Sequence, residues 1–252
     1  MRSVKIKEVI DALERFAPLP LQEEYDNAGL QVGLTEAEVS GALLCLDVTE
    51  RVVDEAITKG CNLIVAHHPL IFRKLSQVTD ANYVQRTVIK AIKNDIVIVA
   101  MHTNLDAAFG GVNFKIAEKL RLRDVRFFGR EKVVTNPLTD KKVTGGDGVI
   151  GCFDTPLAAD DLILLLKKEF DVECVQANEL LRREIRTVAL CGGSGSFLLQ
   201  DAINAGADAF ITGEMGYHEF FGHEQEIQLC VIGHYQSEQY TTEVLRDVIE
   251  RD

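Results

Sequence analysis

The stretch LIVAHHPLIF, Leu63 to Phe72, sets His67 and His68 side by side at the end of an apolar run and follows them with Pro69. Five of the six histidines fall at or just beyond the ends of strand-like apolar runs: His67, His68, His102, His218 and His234. Carboxylates accompany them at Asp106, Glu214, Glu219 and Glu238. Imidazole and carboxylate donors without thiolates suit iron, manganese, cobalt or zinc better than a structural cysteine site would. Carboxylates carry two oxygens each, so such a set can also bridge two divalent ions about 3.5–4 Å apart and leave positions open for water. A lone histidine at a strand end is more often a hydrogen-bonded surface residue, and that reading suits His102 or His223 taken singly. It does not suit the adjacent pair. Neighbouring side chains on a strand point to opposite faces, and two imidazoles closing a buried strand gain nothing from packing. The spacing His-x-x-x-acid occurs twice, as His102 with Asp106 and His234 with Glu238. One exposed helical turn would explain either occurrence, but not its recurrence after two apolar strands.

These residues need a scaffold, and the hydrophobic pattern supplies one. The N-terminal segment, with Val4, Ile6, Val9, Ile10, Leu13 and Phe16 on one face, reads as an amphipathic helix that APLP ends. EYDNAGLQVG is turn-rich. Strand and helix then alternate: GALLCLDV, a helix with Thr49 as N-cap and Gly60 as stop, CNLIVAHH, a helix around Val84 to Lys93, and DIVIVAMH. Alternation of this kind implies a mainly parallel sheet. Between Arg126 and Phe153 lie short strand-like pieces, and GDGVIG there reads as a turn between two of them. The helix PLAADDLILLLKKEF follows.

Leu43 to His68 aligns without a gap to Ala189 to Glu214, with Cys45 on Cys191 and Gly60 on Gly206. The expected fold is therefore α/β: two interlinked, related α/β subdomains with mixed, mainly parallel sheets and a metal site at their interface. The boundaries read as 1–125 plus 234–252 for the first and 126–233 for the second. Polar residues at the C-terminal ends of parallel strands are where ligands bind in open α/β sheets. The loop CGGSGSF offers Gly192, Gly193, Ser194 and Gly195 between a strand and a helix. It reads equally as a phosphate cradle or as a tight turn that glycine permits.

Composition bounds the partners. The charge of −12 argues against a nucleic-acid partner. No run reaches the roughly 18 apolar residues of a membrane span, and no secretory signal is visible. The six cysteines form no C-x-x-C pair, which points to free thiols in a reducing, cytoplasmic setting.

EYDNAGLQVG, AHHPLIF, HTNLDAAFGGVN, CGGSGS, ITGEMGYHE and GHYQSE stand in an order that resembles the dinuclear-metal-centre family, also called YbgI-like or Nif-three-like, whose members include GTP cyclohydrolase type 2 homologues. The likeness spans nearly the whole chain, in a short form without the inserted domain of longer relatives. It implies metal ligands His67, His68, Asp106, His234 and Glu238, with Asp106 and Glu238 bridging two divalent ions. It also implies a toroidal homohexamer. Glu214 stands where relatives often have aspartate. The expected activity is hydrolysis of GTP-cyclohydrolase-like type, on a nucleotide such as GTP or a similar small molecule, through a metal-bridged water. His102, His218 or Glu214 would move protons. The alternative is a metal-handling or regulatory protein without turnover.

Overall fold

The computed structural model of the chain describes residues 3–251. Two compact units emerge, Met1–Ala108 with Val134–Val143 and Thr241–Asp252, and Phe109–Val133 with Thr144–Tyr240.

The first unit opens with α1 (Ile6–Phe16) and the edge strand β1 (Gly29–Val32). Then β2 (Ala42–Cys45), α2 (Glu50–Lys59), β3 (Leu63–Ala66), α3 (Tyr83–Lys93), β4 (Val97–Ala100) and the single turn α4 (Thr103–Asp106) alternate. The sheet order is β1-β4-β3-β2. The strands β2, β3 and β4 run parallel, and β1 lies antiparallel to β4. Both β3 and β4 are buried along their whole length, as unbroken apolar strands under helices must be. The Thr49 side chain accepts from Val52 N–H to start α2, and Gly60 ends it in the left-handed region at φ 70°. Val53, Ala56, Ile64, Val88, Ala91 and Ile98 interlock as the core between sheet and helices.

The second unit begins with α5 (Val112–Lys119), followed by β5 (Arg123–Thr135), β6 (Lys142–Leu157), α6 (Ala159–Glu169), β7 (Gln176–Ala177) and β8 (Ile185–Cys191). It continues through α7 (Leu199–Asn204), β9 (Ala209–Thr212), β10 (Gln228–Val231) and the short α8 (His234–Glu238). Its sheet order is β5-β6-β8-β9-β10-β7. Here β8, β9 and β10 run parallel, flanked by antiparallel β6 and β7. The last helix, α9 (Thr241–Arg251), belongs to the first unit.

The parallel triplet β2-β3-β4 thus recurs as β8-β9-β10, and Gly206 ends its helix at φ 73° as Gly60 does at 70°. The mixed, mainly parallel α/β architecture expected from the sequence is the one observed. Within the second unit α5 packs on β8 and α8.

GDGVIG is a correction. Gly146 to Gly151 lie inside the long strand β6, and the reversal comes at Asn136 to Asp140, where Asn136 N–H donates to the Lys141 carbonyl at 2.8 Å. The glycines serve packing: a Cβ on Gly146 would stand 2.7 Å from the Phe127 ring, and one on Gly148 would stand 2.9 Å from the Leu190 carbonyl. All six cysteines are free, but only Cys191 and Cys230 are buried, and Cys174 is exposed. Burial pushes the Cys230 thiol up to about 12. Among the described residues no helix is long and apolar enough to cross a membrane.

Candidate metal centre

In the first unit the strand-like bonding continues just past β3. His67 N–H donates to the Cys45 carbonyl at 3.1 Å and His68 N–H to the Leu46 carbonyl at 2.9 Å. Pro69 then offers no N–H and holds His68 to extended angles. Because the chain leaves the strand here, the two rings do not diverge: their centroids lie 4.8 Å apart. His102 caps α4, and its ring centroid is 5.4 Å from each of the others. One ring nitrogen from each of His67, His68 and His102 lies within 4.8 Å of the other two. An oxygen of Asp106, the last residue of α4, lies 3.6 Å from His67 Nε2.

Each imidazole is held from behind at Nδ1. His67 Nδ1 donates to the Met101 carbonyl at 2.8 Å, His68 Nδ1 to Asp47 Oδ1 at 2.9 Å, and His102 Nδ1 to Asp26 Oδ1 at 2.7 Å. A carbonyl or carboxylate only accepts, so each Nδ1 carries the proton and each Nε2 carries the lone pair. Histidines that ligate metals are oriented in this way. Asp26 is the firmest of the three supports. Its side chain is shut off from solvent. It also accepts from the Thr103 N–H at 3.1 Å and from the Thr103 hydroxyl. Burial raises its pKa, but the bonds from His102 and Thr103 outweigh burial and bring it to about 2.

Sequence reasoning missed Asp26, Asp47 and their neighbours. Asn27 Nδ2 donates to the Ile71 carbonyl at 2.6 Å, and Gln31 Oε1 accepts from Ile71 N–H at 3.1 Å. EYDNAGLQVG therefore anchors both His102 and the loop after His68. The motif was visible, but its partners lie far along the chain, where periodicity carries no signal.

In the second unit, Gly233 at φ 101° turns the chain out of β10 into α8. The i,i+4 spacing then puts His234 and Glu238 on one face. His234 Nε2 is 3.2 Å from Glu238 Oε2, and its Nδ1 is 3.0 Å from Glu214 Oε1. Glu214 also accepts from the Ser194 hydroxyl. The bond with Glu238, against partial burial, and the charges of Glu238 and Glu214 raise the His234 pKa to about 9. An ion bound at that imidazole must displace a proton. Gly193, at φ 60°, leaves room for this pair: a Cβ there would collide with Glu238 Oε1 and stand 3.4 Å from His234 Nε2.

The Gly loop's backbone donors are turned into the fold. Gly192 N–H donates to Asn113 Oδ1 at 2.9 Å, Gly193 N–H to Ser237 Oγ at 2.9 Å, and Gly195 N–H to Thr212 Oγ1 at 3.0 Å. Three of its donors are thus occupied by protein oxygens rather than aimed at a ligand. The loop borders a cavity of about 620 Å³ lined by Gln176, Ser194, Glu214, Met215 and Gln236, with no lysine or arginine in its wall. The exposed His218 packs its ring on Tyr217 and Phe221. Glu219 accepts from Gly216 N–H, as a cap of its own turn.

Three imidazoles, two held by carboxylates and one by a carbonyl, with a further carboxylate alongside, fit a divalent cation in donor type and in orientation. A family model described as Duf34/NIF3 (NGG1p interacting factor 3) matches residues 4–252. The GTP cyclohydrolase 1 type 2 homolog of Clostridium acetobutylicum is 32% identical over 251 residues, covering 98% of this chain and 90% of that protein. Its counterpart in Clostridium perfringens is 35% identical over 237 residues, covering 93% and 87%. Among solved structures, the Staphylococcus aureus hypothetical protein SA1388 superposes with a TM-score of 0.87 at 28% identity, covering 99% of this chain and 92% of that one.

Proposed function

From the chain's membership of the Duf34/NIF3 family, we propose that it is a dinuclear metal-binding protein and a hydrolase of GTP-cyclohydrolase-like type. Its substrate is a nucleotide or a similar small molecule. The proposed ligands are His67, His68 and Asp106 of the first unit with His234 and Glu238 of the second. The observation that carries the reading is the support behind the imidazoles: each of three Nδ1 atoms is fixed by Met101, Asp47 or Asp26. Two divalent ions would supply Lewis acidity and a water acidic enough to attack near neutral pH. Iron, zinc, manganese and cobalt all suit these donors.

The remaining steps fall to side chains. His102, held at Nδ1 by Asp26, takes up and returns a proton at Nε2. Glu214 orients His234 through Nδ1. Gln176 and Gln236 offer amides to the edge of a heterocycle in the cavity. His218 is a further proton carrier only if substrate reaches its exposed turn. A homo-oligomer, of six chains by family likeness, belongs to the same proposal.

The test is a substrate screen with metal-stripped protein reloaded with zinc, manganese, iron or cobalt. GTP is expected to gain one water by mass spectrometry, and chelation should stop the reaction. The cavity wall favours one competing reading. With Glu214 and no cationic side chain, it gives a triphosphate no counter-charge. A fully loaded protein that turns over neither nucleotides nor phosphoesters, yet surrenders its ions readily to a chelator, is a metal-handling protein and not a hydrolase.

A further inference from the structure

The wall of the cavity of about 620 Å³ in the second unit is one-sided in its chemistry. The parallel strands β8, β9 and β10 end together there, with Cys191, Thr212 and Val231 in register, and open α/β sheets take their ligands at such ends. Binding a phosphate calls for arginine, lysine or free backbone N–H groups. The wall has no lysine, arginine or histidine. The N–H groups of Gly192, Gly193 and Gly195 are spent on protein oxygens, and the Ser194 hydroxyl donates to Glu214. What remains is one carboxylate and two primary amides. Glu214 Oε1 meets His234 Nδ1 and Oε2 meets Ser194, so each oxygen keeps a lone pair for a further donor. Among the described residues the side-chain amides of Gln176 and Gln236 have no hydrogen-bonding partner. Gly233 makes room for one of them, since a Cβ there would collide with Gln236 Oε1.

A carboxylate is matched by two adjacent N–H donors, and a primary amide beside it by a carbonyl. The pairing edge of guanine carries this set: an amino group, a ring N–H next to it, and a ring carbonyl beyond. We propose that the cavity binds a heterocycle with that edge in phosphate-free form, as a nucleobase or nucleoside. Glu214 accepts from the amino group and the ring N–H, Gln176 or Gln236 donates to the carbonyl, and Met215 packs its thioether on the ring. The inference rests on the cavity being the substrate site of the function proposed above, and it narrows that substrate. Of guanine compounds the nucleoside binds more tightly than the nucleotide, because Glu214 repels a phosphate that nothing in the wall neutralises. Glu214 is thus the specificity-determining residue of the cavity.

The experiment uses the full chain stripped of metal, so that no ion lends phosphate a counter-charge. Isothermal titration calorimetry compares guanosine, inosine and GMP. Guanosine should bind. Inosine, which lacks the amino group, should bind roughly 10-fold more weakly, and GMP roughly 10-fold more weakly as well. E214Q should weaken guanosine and bring GMP level with it. Q176A and Q236A should weaken guanosine while leaving its ratio to GMP unchanged. Circular dichroism melts identify any variant that fails to fold. Cys174 is exposed and lies in the same wall, so bound guanosine should slow its alkylation by N-ethylmaleimide, read by peptide mass spectrometry. The inference is overturned if folded wild type binds no guanosine, if GMP or inosine binds as tightly as guanosine, or if bound guanosine leaves Cys174 unprotected. A metal-loaded protein that binds guanosine in this way yet turns over no substrate sinks the hydrolase reading and leaves the cavity's preference standing.

Discussion

Replacing His68 by alanine is expected to empty the centre while leaving the fold standing. His68 lies past the end of β3, its side chain is 22% exposed, and its Nδ1 partner Asp47 is mostly in solvent. His68 stands outside the cluster packed between sheet and helices, so removing the ring opens only a partly exposed space and strands no buried charge, and the melting temperature should move little. The loss falls on the ion. A metal ligand contributes more than the residues that orient it, and losing an orienting residue already costs 10–100-fold, so affinity should drop by roughly 100-fold or more. Elemental analysis of protein purified without a tag or chelator measures the outcome. Wild-type metal content in His68→Ala would refute the assignment of this histidine and, with it, the reading of the paired imidazoles.

Asp26→Ala should have the largest effect on stability. The carboxylate is enclosed and accepts from His102 Nδ1, Thr103 N–H and the Thr103 hydroxyl. Alanine leaves these three donors, and the Asn27 N–H that also bonds Oδ1 at 2.7 Å, without an acceptor in a half-buried setting. At about 1–3 kcal/mol for each unsatisfied donor, and with water able to reach some of them, a loss of about 2–4 kcal/mol is expected. Urea unfolding followed by circular dichroism measures it, and a midpoint unchanged from wild type would mean that Asp26 is not the anchor of α4. Asp26→Asn should lose less, because its amide oxygen still accepts.

How much of this was legible in the sequence follows from the range of each interaction. The helix at Glu50–Lys59 was readable because Thr49 and Gly60 act on their own neighbours. The buried strands were readable because burial on both faces demands an unbroken apolar run, as in LIVA and VIVA. The histidines stood out as bases at the ends of those runs. What holds them did not. Asp26 is 76 residues from His102, and Asp47 is 21 from His68. A turn-rich segment looks the same whether or not one of its carboxylates is a buried anchor. The glycines misled in both directions. In β6 they relieve contact with Phe127 and Leu190, which no local pattern shows. In CGGSGS they permit the chain's close approach to Glu238, while the loop's N–H groups serve Asn113, Ser237 and Thr212.

The placement of α9 bears on how the protein is made. Val244, Leu245 and Val248 of this helix are buried in the first unit, although the residues just before it belong to the second. During synthesis the first unit's sheet emerges early, but the helix that completes its core arrives last. The second unit, whose residues end at Tyr240, has its whole sequence first. A ribosome-bound chain is therefore longest exposed to proteases and chaperones in the unit that carries His67, His68 and His102.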